Sequence, residues 1–294
     1  MNLQTDLLRT FVTAADLGNY TETGRVLGRT QPAISLQIKR LEQLLDRQLV
    51  KHSGKKLNLT GDGQMLLSYA RQILQLNDSA ASQIRRSNLS GVLRVGLPID
   101  YSIGFFQSEI VNFMQENTGV ELDILCGWSR DLLDLLHADQ LDIVIAVTDS
   151  MPMPYVSLHW SERPYWVCGR DFSLAPGKPV PLVVHPEGCA YRARMLHALE
   201  ATGQNWRIAF CSPGINALQN AVISGLGISA LTRKTYQPGM RKLVVADGFP
   251  PLPPINVGIF YKHIRLSDAA IRLVERISNG VAGFQKTIIV RNHK

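Results

Sequence analysis

The sequence predicts an α/β protein headed by a winged helix-turn-helix, and three observations carry that prediction. Two amphipathic helices meet at a glycine turn within residues 20–45. An unbroken helical pattern then runs from 62 to 87, and from residue 91 onward apolar strands alternate with helices. Alternation of that kind points to parallel sheets, and 294 residues are about two domains' worth.

The first helix follows from Leu7, Leu8, Phe11, Val12 and Ala15, which recur at helical spacing, with Asp6 at its start and Gly18-Asn19 at its end. Thr21 is the expected N-cap of a short second helix that carries Glu22, Val26 and Leu27 and stops at Gly28-Arg29. Thr30 caps the third, and Pro32 suits its first turn, where the missing N–H costs nothing. Ile34, Ile38, Leu41 and Leu45 form its buried stripe; the polar residues Gln31, Ser35, Gln37, Lys39 and Arg40 include its outward face. Helix, short turn, helix is the geometry that places a second helix in a major groove. Residues 49–59, with Lys51, Lys55 and Lys56 around Gly54, read as a two-stranded basic wing. The helix expected at 62–87 has no internal proline, is about 35–40 Å long at 1.5 Å per residue, and carries enough apolar surface to want a partner helix. The boundary after it lies at 88–91.

Beyond it, strands are expected at 91–96, 120–125 and 141–147, with a loop at Pro98 and helices at 105–116 and 129–138. A second run places strands near 165–168, 182–184, 206–211, 228–231 and 257–261, helices near 190–202 and 215–224, and a closing amphipathic helix at 267–284.

Composition removes other classes. Hydrophobic residues make up 45% and charged residues 19%, ordinary for a globular chain with a core of normal size. The apolar run 141–147 is far short of the roughly 20 residues of a membrane span, and the N-terminus lacks a signal-peptide pattern, so a cytoplasmic protein is expected. Cys126, Cys168, Cys189 and Cys211 form no CxxC pair, and thiols are the expectation for all four, with no metal and no cofactor. Residues 1–90 hold 12 basic against 7 acidic side chains, net +5, whereas the remaining 204 residues hold 19 against 17, net +2. A short segment carrying most of the excess is the footprint of a phosphate-binding surface.

The run Thr30-Gln31-Pro32-Ala33-Ile34-Ser35-Leu36-Gln37-Ile38-Lys39-Arg40-Leu41-Glu42 closely resembles the recognition-helix signature of LysR-type transcriptional regulators. Leu57-Asn58-Leu59-Thr60 with Gly63 resembles that family's passage from wing to linker. Val50 and His52 depart from it, standing where Phe and Arg are common. Gly24 replaces a usual small residue such as Ala, which should lower local helix stability by up to about 1 kcal/mol. Gly225-Leu226-Gly227-Ile228 is also typical of the family, and the stretches 181–184 and 206–210 resemble a branch containing regulators of motility, virulence and secondary metabolism.

The resemblance implies a winged helix-turn-helix in 1–61 with the helix-turn-helix at about 20–39, a linker dimerisation helix in 62–90, and a two-lobed periplasmic-binding-protein-like effector domain in 91–294. Lobe I would be 91–160 with 262–294 and lobe II 161–261, with hinges near His159-Trp160-Ser161 and Phe260-Tyr261-Lys262. Double-stranded DNA, a small organic acid effector and further copies of the chain as a dimer of dimers are the implied partners, RNA polymerase being a further one. Expected DNA contacts are Arg29, Thr30, Gln31, Pro32, Ser35, Gln37, Lys39, Arg40, Lys51, Lys55 and Lys56. Pro98, Ile99, Ser102, Cys126, Trp128, Ser129, Thr148, Cys189, Arg192, Ser212 and Gly227 would line the effector cleft.

Enzyme readings lose ground on the same residues. Gly225-Leu226-Gly227 lacks the third glycine of a dinucleotide fingerprint and follows a helix, the histidines form no ligand-spaced pair, and GxxxxGK[ST], GxSxG and HExxH are absent. The alternative is an α/β solute-binding or catalytic protein whose N-terminal helices only mediate assembly.

Overall fold

The computed structural model describes residues 2–53, 56–85, 89–99, 105–149, 151, 153–175, 177–262 and 266–291. In chain order the elements are α1 (Thr5–Leu17), α2 (Tyr20–Leu27), α3 (Gln31–Leu45), β1 (Val50–Ser53), β2 (Lys56–Leu59) and α4 (Gly61–Arg85). Then come β3 (Gly91–Pro98), α5 (Phe105–Glu116), β4 (Val120–Gly127), α6 (Ser129–His137), β5 (Ile143–Thr148) and β6 (Val156–Glu162). The rest are β7 (Tyr165–Gly169), β8 (Val180–Val184), α7 (Ala190–Ala201), β9 (Trp206–Cys211), α8 (Ile215–Ile223), β10 (Ser229–Leu231), β11 (Met240–Leu243), β12 (Ile255–Phe260) and α9 (Asp268–Arg291).

The N-terminal unit closes around Leu7, Leu8, Phe11, Ile38, Leu41, Leu66, Leu67, Ala70 and Leu74, so the first turns of α4 share a core with α1 and α3. Thr30 caps α3, its Oγ1 accepting the Ala33 N–H at 3.4 Å. Thr21 does not cap α2: Asn19 does, accepting the Thr21 and Glu22 N–H groups at 2.7 and 3.3 Å, because the helix begins one residue before Thr21. Glu42 ties α3 to the wing by accepting the N–H groups of Leu49 and Val50 at 2.8 and 3.2 Å. Val50 is buried, so its departure from the family pattern is a packing change. A Cβ on Gly63 would lie 2.1 Å from the Leu49 carbonyl oxygen, and one on Gly24 2.5 Å from that of Arg29. Gly24 therefore offsets its helix penalty by admitting the turn into α3 at close range.

Two lobes follow. Lobe I holds a five-stranded sheet in the order β4-β3-β5-β12-β6, with β3 parallel to β4 and β5, and β12 antiparallel to both its neighbours. Lobe II pairs β8 with β9 in parallel and joins β8 to Ile228, while β7 sits between β10 and β11. Three expectations change here. Pro98 ends β3 instead of forming a loop. Residues 159–161 and 260 lie in adjacent strands of the lobe I sheet, so they are not hinges; the crossings fall at 163–164 and in the proline-rich stretch 250–254. Residues 255–260, assigned to lobe II from the sequence, therefore belong to lobe I. Strands β6 and β11 were not anticipated.

The N-terminal unit is fastened to lobe I. Asp16 and Arg71 form a salt bridge with both side chains about 95% buried, and Asp16 Oδ1 also accepts the Tyr155 N–H at 3.0 Å. Burial pushes the Asp16 carboxyl above its ordinary pKa, opposed by the Arg71 charge and the Tyr155 N–H. Further along α4, Gln75 Nε2 donates to Ser278 Oγ at 3.4 Å, and Arg272 donates to the Ser82 carbonyl at 3.3 Å. A cavity of about 210 Å³ lies beside the Asp16 joint, lined by Glu22, Arg25, His137, Tyr155 and Lys262 among others. Its charged groups are matched internally: Arg25 with Glu22 at 2.5 Å and Lys262 with Asp139 at 2.7 Å.

Candidate nucleic-acid interface and effector cleft

Packing decides which side of α3 faces outward. Ile34, Ile38 and Leu41 are buried, which leaves Gln31, Pro32, Leu36, Lys39, Arg40 and Gln43 exposed and Ser35 half-buried at the edge of that face. Arg29, just before the helix, and Lys51 on β1 are exposed as well. Among the described residues no acidic side chain pairs with Arg29, Lys39, Arg40 or Lys51. A capped helix with amides and a hydroxyl near its N-terminus and unpaired cations beyond suits a polyanion whose base edges must be read.

Gln37 is the exception in the predicted set. It stands on the inner shoulder of α3, half-buried, with Oε1 accepting from the Thr10 hydroxyl of α1 at 2.7 Å. Its amide holds α3 on α1, and the expectation that it faces DNA is corrected. Lys56 lies on β2, paired with Ser53 across the wing, and Lys55 lies outside the described residues. Leu36 was missed as a candidate, although its offset from the stripe of Ile34, Ile38 and Leu41 was a signal present in the sequence.

The second candidate site lies between the lobes. Strands β3, β4 and β5 end at Pro98, Gly127 and Thr148, and β8 and β9 of lobe II end at Val184 and Cys211, which brings Ile99, Trp128, His185 and Ser212 to the strand ends. Trp128 meets His185 edge-on across the lobes with ring centroids 5.9 Å apart. The Nδ1 of His185 lies 3.0 Å from the Ser212 carbonyl, an acceptor, so that nitrogen carries the proton. Arg194 of α7 bridges the lobes by pairing with Asp149 at 2.8 Å and donating to the Pro254 carbonyl at 2.9 Å. His185, Arg194 and Asp149 were not anticipated.

The other predicted cleft residues divide. Thr148 and Cys189 are buried, Cys126 and Cys211 are exposed, and no disulfide joins any of the four cysteines. Burial raises the Cys168 thiol pKa and keeps it protonated. Ser129 accepts the Val147 N–H at 2.9 Å, so its hydroxyl braces α6 against β5. Arg192 donates to the His185 carbonyl and to Glu187, both at 3.4 Å, within lobe II. A Cβ at Gly227 would lie 2.4 Å from the Pro181 carbonyl oxygen, which makes it a packing glycine between β8 and the chain entering β10. Ser102 lies outside the described residues.

Comparison with known proteins matches both halves. Residues 5–64 match the family described as bacterial regulatory helix-turn-helix protein, lysR family, and residues 86–281 match the LysR substrate binding domain. The chain is 34% identical over 256 residues to the HTH-type transcriptional regulator PecT of Dickeya dadantii, covering 86% of this chain and 80% of that protein. It is 28% identical over 278 residues to the HTH-type transcriptional regulator DgdR of Burkholderia cepacia, covering 94% of each. Among solved structures, Vibrio fischeri DarR in complex with DNA shares the fold with a TM-score of 0.50 at 20% identity, covering 94% of this chain and 98% of that one. The outward, cation-flanked face of α3, the wing, the two lobes and these matches together place the chain in the LysR family, as a DNA-binding transcriptional regulator with an effector-binding domain.

Proposed function

We propose that this regulator acts in the cytoplasm as a dimer of dimers, reads its operator through α3 and answers a small organic acid, carrying out no catalysis of its own. Gln31, Pro32 and Ser35 meet base edges or the adjoining backbone, and Thr30 fixes the helix start. Arg29, Lys39, Arg40, Lys51, Lys55 and Lys56 attract phosphates. The observation that carries this reading is the exposure of Gln31 beside Arg29, Lys39 and Arg40, which no acid pairs among the described residues.

For the effector, the support is that α6, α7 and α8 each begin after the carboxyl end of a strand, where first-turn N–H groups favour an anion, and that the ring of Trp128 at the start of α6 meets His185 of the other lobe. An aromatic or other carboxylic acid fits that combination. For assembly, the support is the stripe Met65, Tyr69, Ile73, Leu76 and Ile84, all exposed along one face of α4. RNA polymerase is the further partner through which binding would change transcription. No described helix is long and apolar enough to cross a membrane.

The test compares two variants on a selected operator and on random duplex. Gln31→Ala should lower the operator-to-random affinity ratio by about 1–3 kcal/mol. Lys39→Ala should weaken both duplexes alike and reduce the slope of log affinity against log salt by about 1. Unchanged discrimination in the first variant removes Gln31 from base reading, and a chain that ignores duplexes at low salt ends the whole reading.

A further inference from the structure

Leu36 sits where an apolar side chain has no structural reason to be. It is 67% exposed, at the middle of the outward face of α3, whereas the helix docks on its own domain through Ile34, Ile38 and Leu41. Its neighbours one turn away are Pro32, Lys39 and Arg40, with Gln43 two turns on, and all four are exposed. Single exposed leucines are ordinary on protein surfaces, and a protein partner would call for a contiguous apolar patch. Here the leucine is flanked by Lys39 and Arg40, which no acid pairs among the described residues, so the surface around it is complementary to a polyanion.

In the major groove the apolar feature that distinguishes one base from the others is the 5-methyl group of thymine. We propose that Leu36 is a specificity-determining residue that packs its isobutyl group on a thymine 5-methyl in each half-site. This rests on the DNA-binding reading of α3 and adds to it an apolar reader between the polar contacts at Gln31 and Ser35 and the phosphate contacts at Lys39 and Arg40. The prediction is directional: thymine, or a cytosine carrying the same methyl, is preferred at that position over uracil or unmodified cytosine.

The experiment uses duplexes selected from a random pool by the full chain, with each thymine replaced in turn by deoxyuridine, which removes only the methyl. The unsubstituted protein should bind roughly fourfold more weakly at one position per half-site, the effect of one buried methyl-sized group. Leu36→Ala should bind the thymine and uracil duplexes equally at that position, with an unchanged melting temperature, since the side chain supports no core. Placing 5-methylcytosine there should restore affinity relative to cytosine for the unsubstituted protein and leave the variant indifferent. Equal binding to thymine and uracil duplexes at every position, or discrimination that persists in Leu36→Ala, overturns the proposal while leaving α3 a DNA-binding helix. Failure of the chain to enrich any duplex overturns that reading and the proposal together.

Discussion

Asp16 concentrates several demands in one side chain. It faces the Arg71 guanidinium, accepts the Tyr155 N–H and borders the cavity between the N-terminal unit and lobe I. Removing one member of a buried ion pair leaves the other charge uncompensated, here the buried Arg71 guanidinium, and the loss is strongly destabilising. Asp16→Ala is therefore expected to cost about 3–5 kcal/mol in urea unfolding. Glu22→Ala, which breaks the exposed pair with Arg25, should leave the urea midpoint nearly unchanged by the same measurement. None of this was legible in the sequence, because Asp16 and Arg71 are 55 residues apart and Tyr155 lies 139 from Asp16. The cap at Thr30 and the first-turn Pro32 were legible, since capping depends on neighbours within one turn. Gln37 was misread for the same reason in reverse: its residue type suits base edges, and only the arrival of Thr10 turns it inward.

At the scale of elements, α4 is the one whose sequence said most. Its length and its large apolar surface followed from an unbroken helical pattern; the structure divides that surface in two, and the inner face, with Leu66, Leu67, Ala70 and Leu74, is buried against α1 and its neighbours. The outer face, Met65 to Ile84, is the surface a second linker helix would cover. Leu76→Glu should therefore weaken self-association at least tenfold in sedimentation while leaving far-ultraviolet circular dichroism unchanged, because Leu76 is exposed in the single chain. Strand β6 shows the opposite case. Val156, Leu158 and Trp160 alternate with polar residues, the period-2 signal of a strand, yet the segment reads as a crossing when its partner β12 is nearly a hundred residues away. Strand β11, at four residues, was too short for periodicity to declare itself.

For the whole molecule, the α/β character was readable from alternation and the two-lobe plan came with the family resemblance, whereas the swap of β12 into lobe I was not readable, since sheet membership is a long-range property. The lobes meet through Trp128 with His185 and Arg194 with Asp149. An aromatic carboxylate that binds there should raise the melting temperature of the full chain in a concentration-dependent way, by about 2.7 kcal/mol of added stability at a hundredfold excess over Kd. Trp128→Ala should diminish that shift, and a shift of equal size in this variant would place the ligand elsewhere.

The contacts that join the N-terminal unit and α4 to the second half, through Tyr155, Met153, Ser278 and Arg272, all land on lobe I. Among the described residues the reading head is thus moored to lobe I, and lobe II is joined to it only by way of that lobe. A message that starts as a rotation of lobe II has no direct lever on the duplex within its own polypeptide. It must first cross to lobe I through the contacts of Trp128 with His185 and of Arg194 with Asp149, which makes the seam between the lobes the transmission.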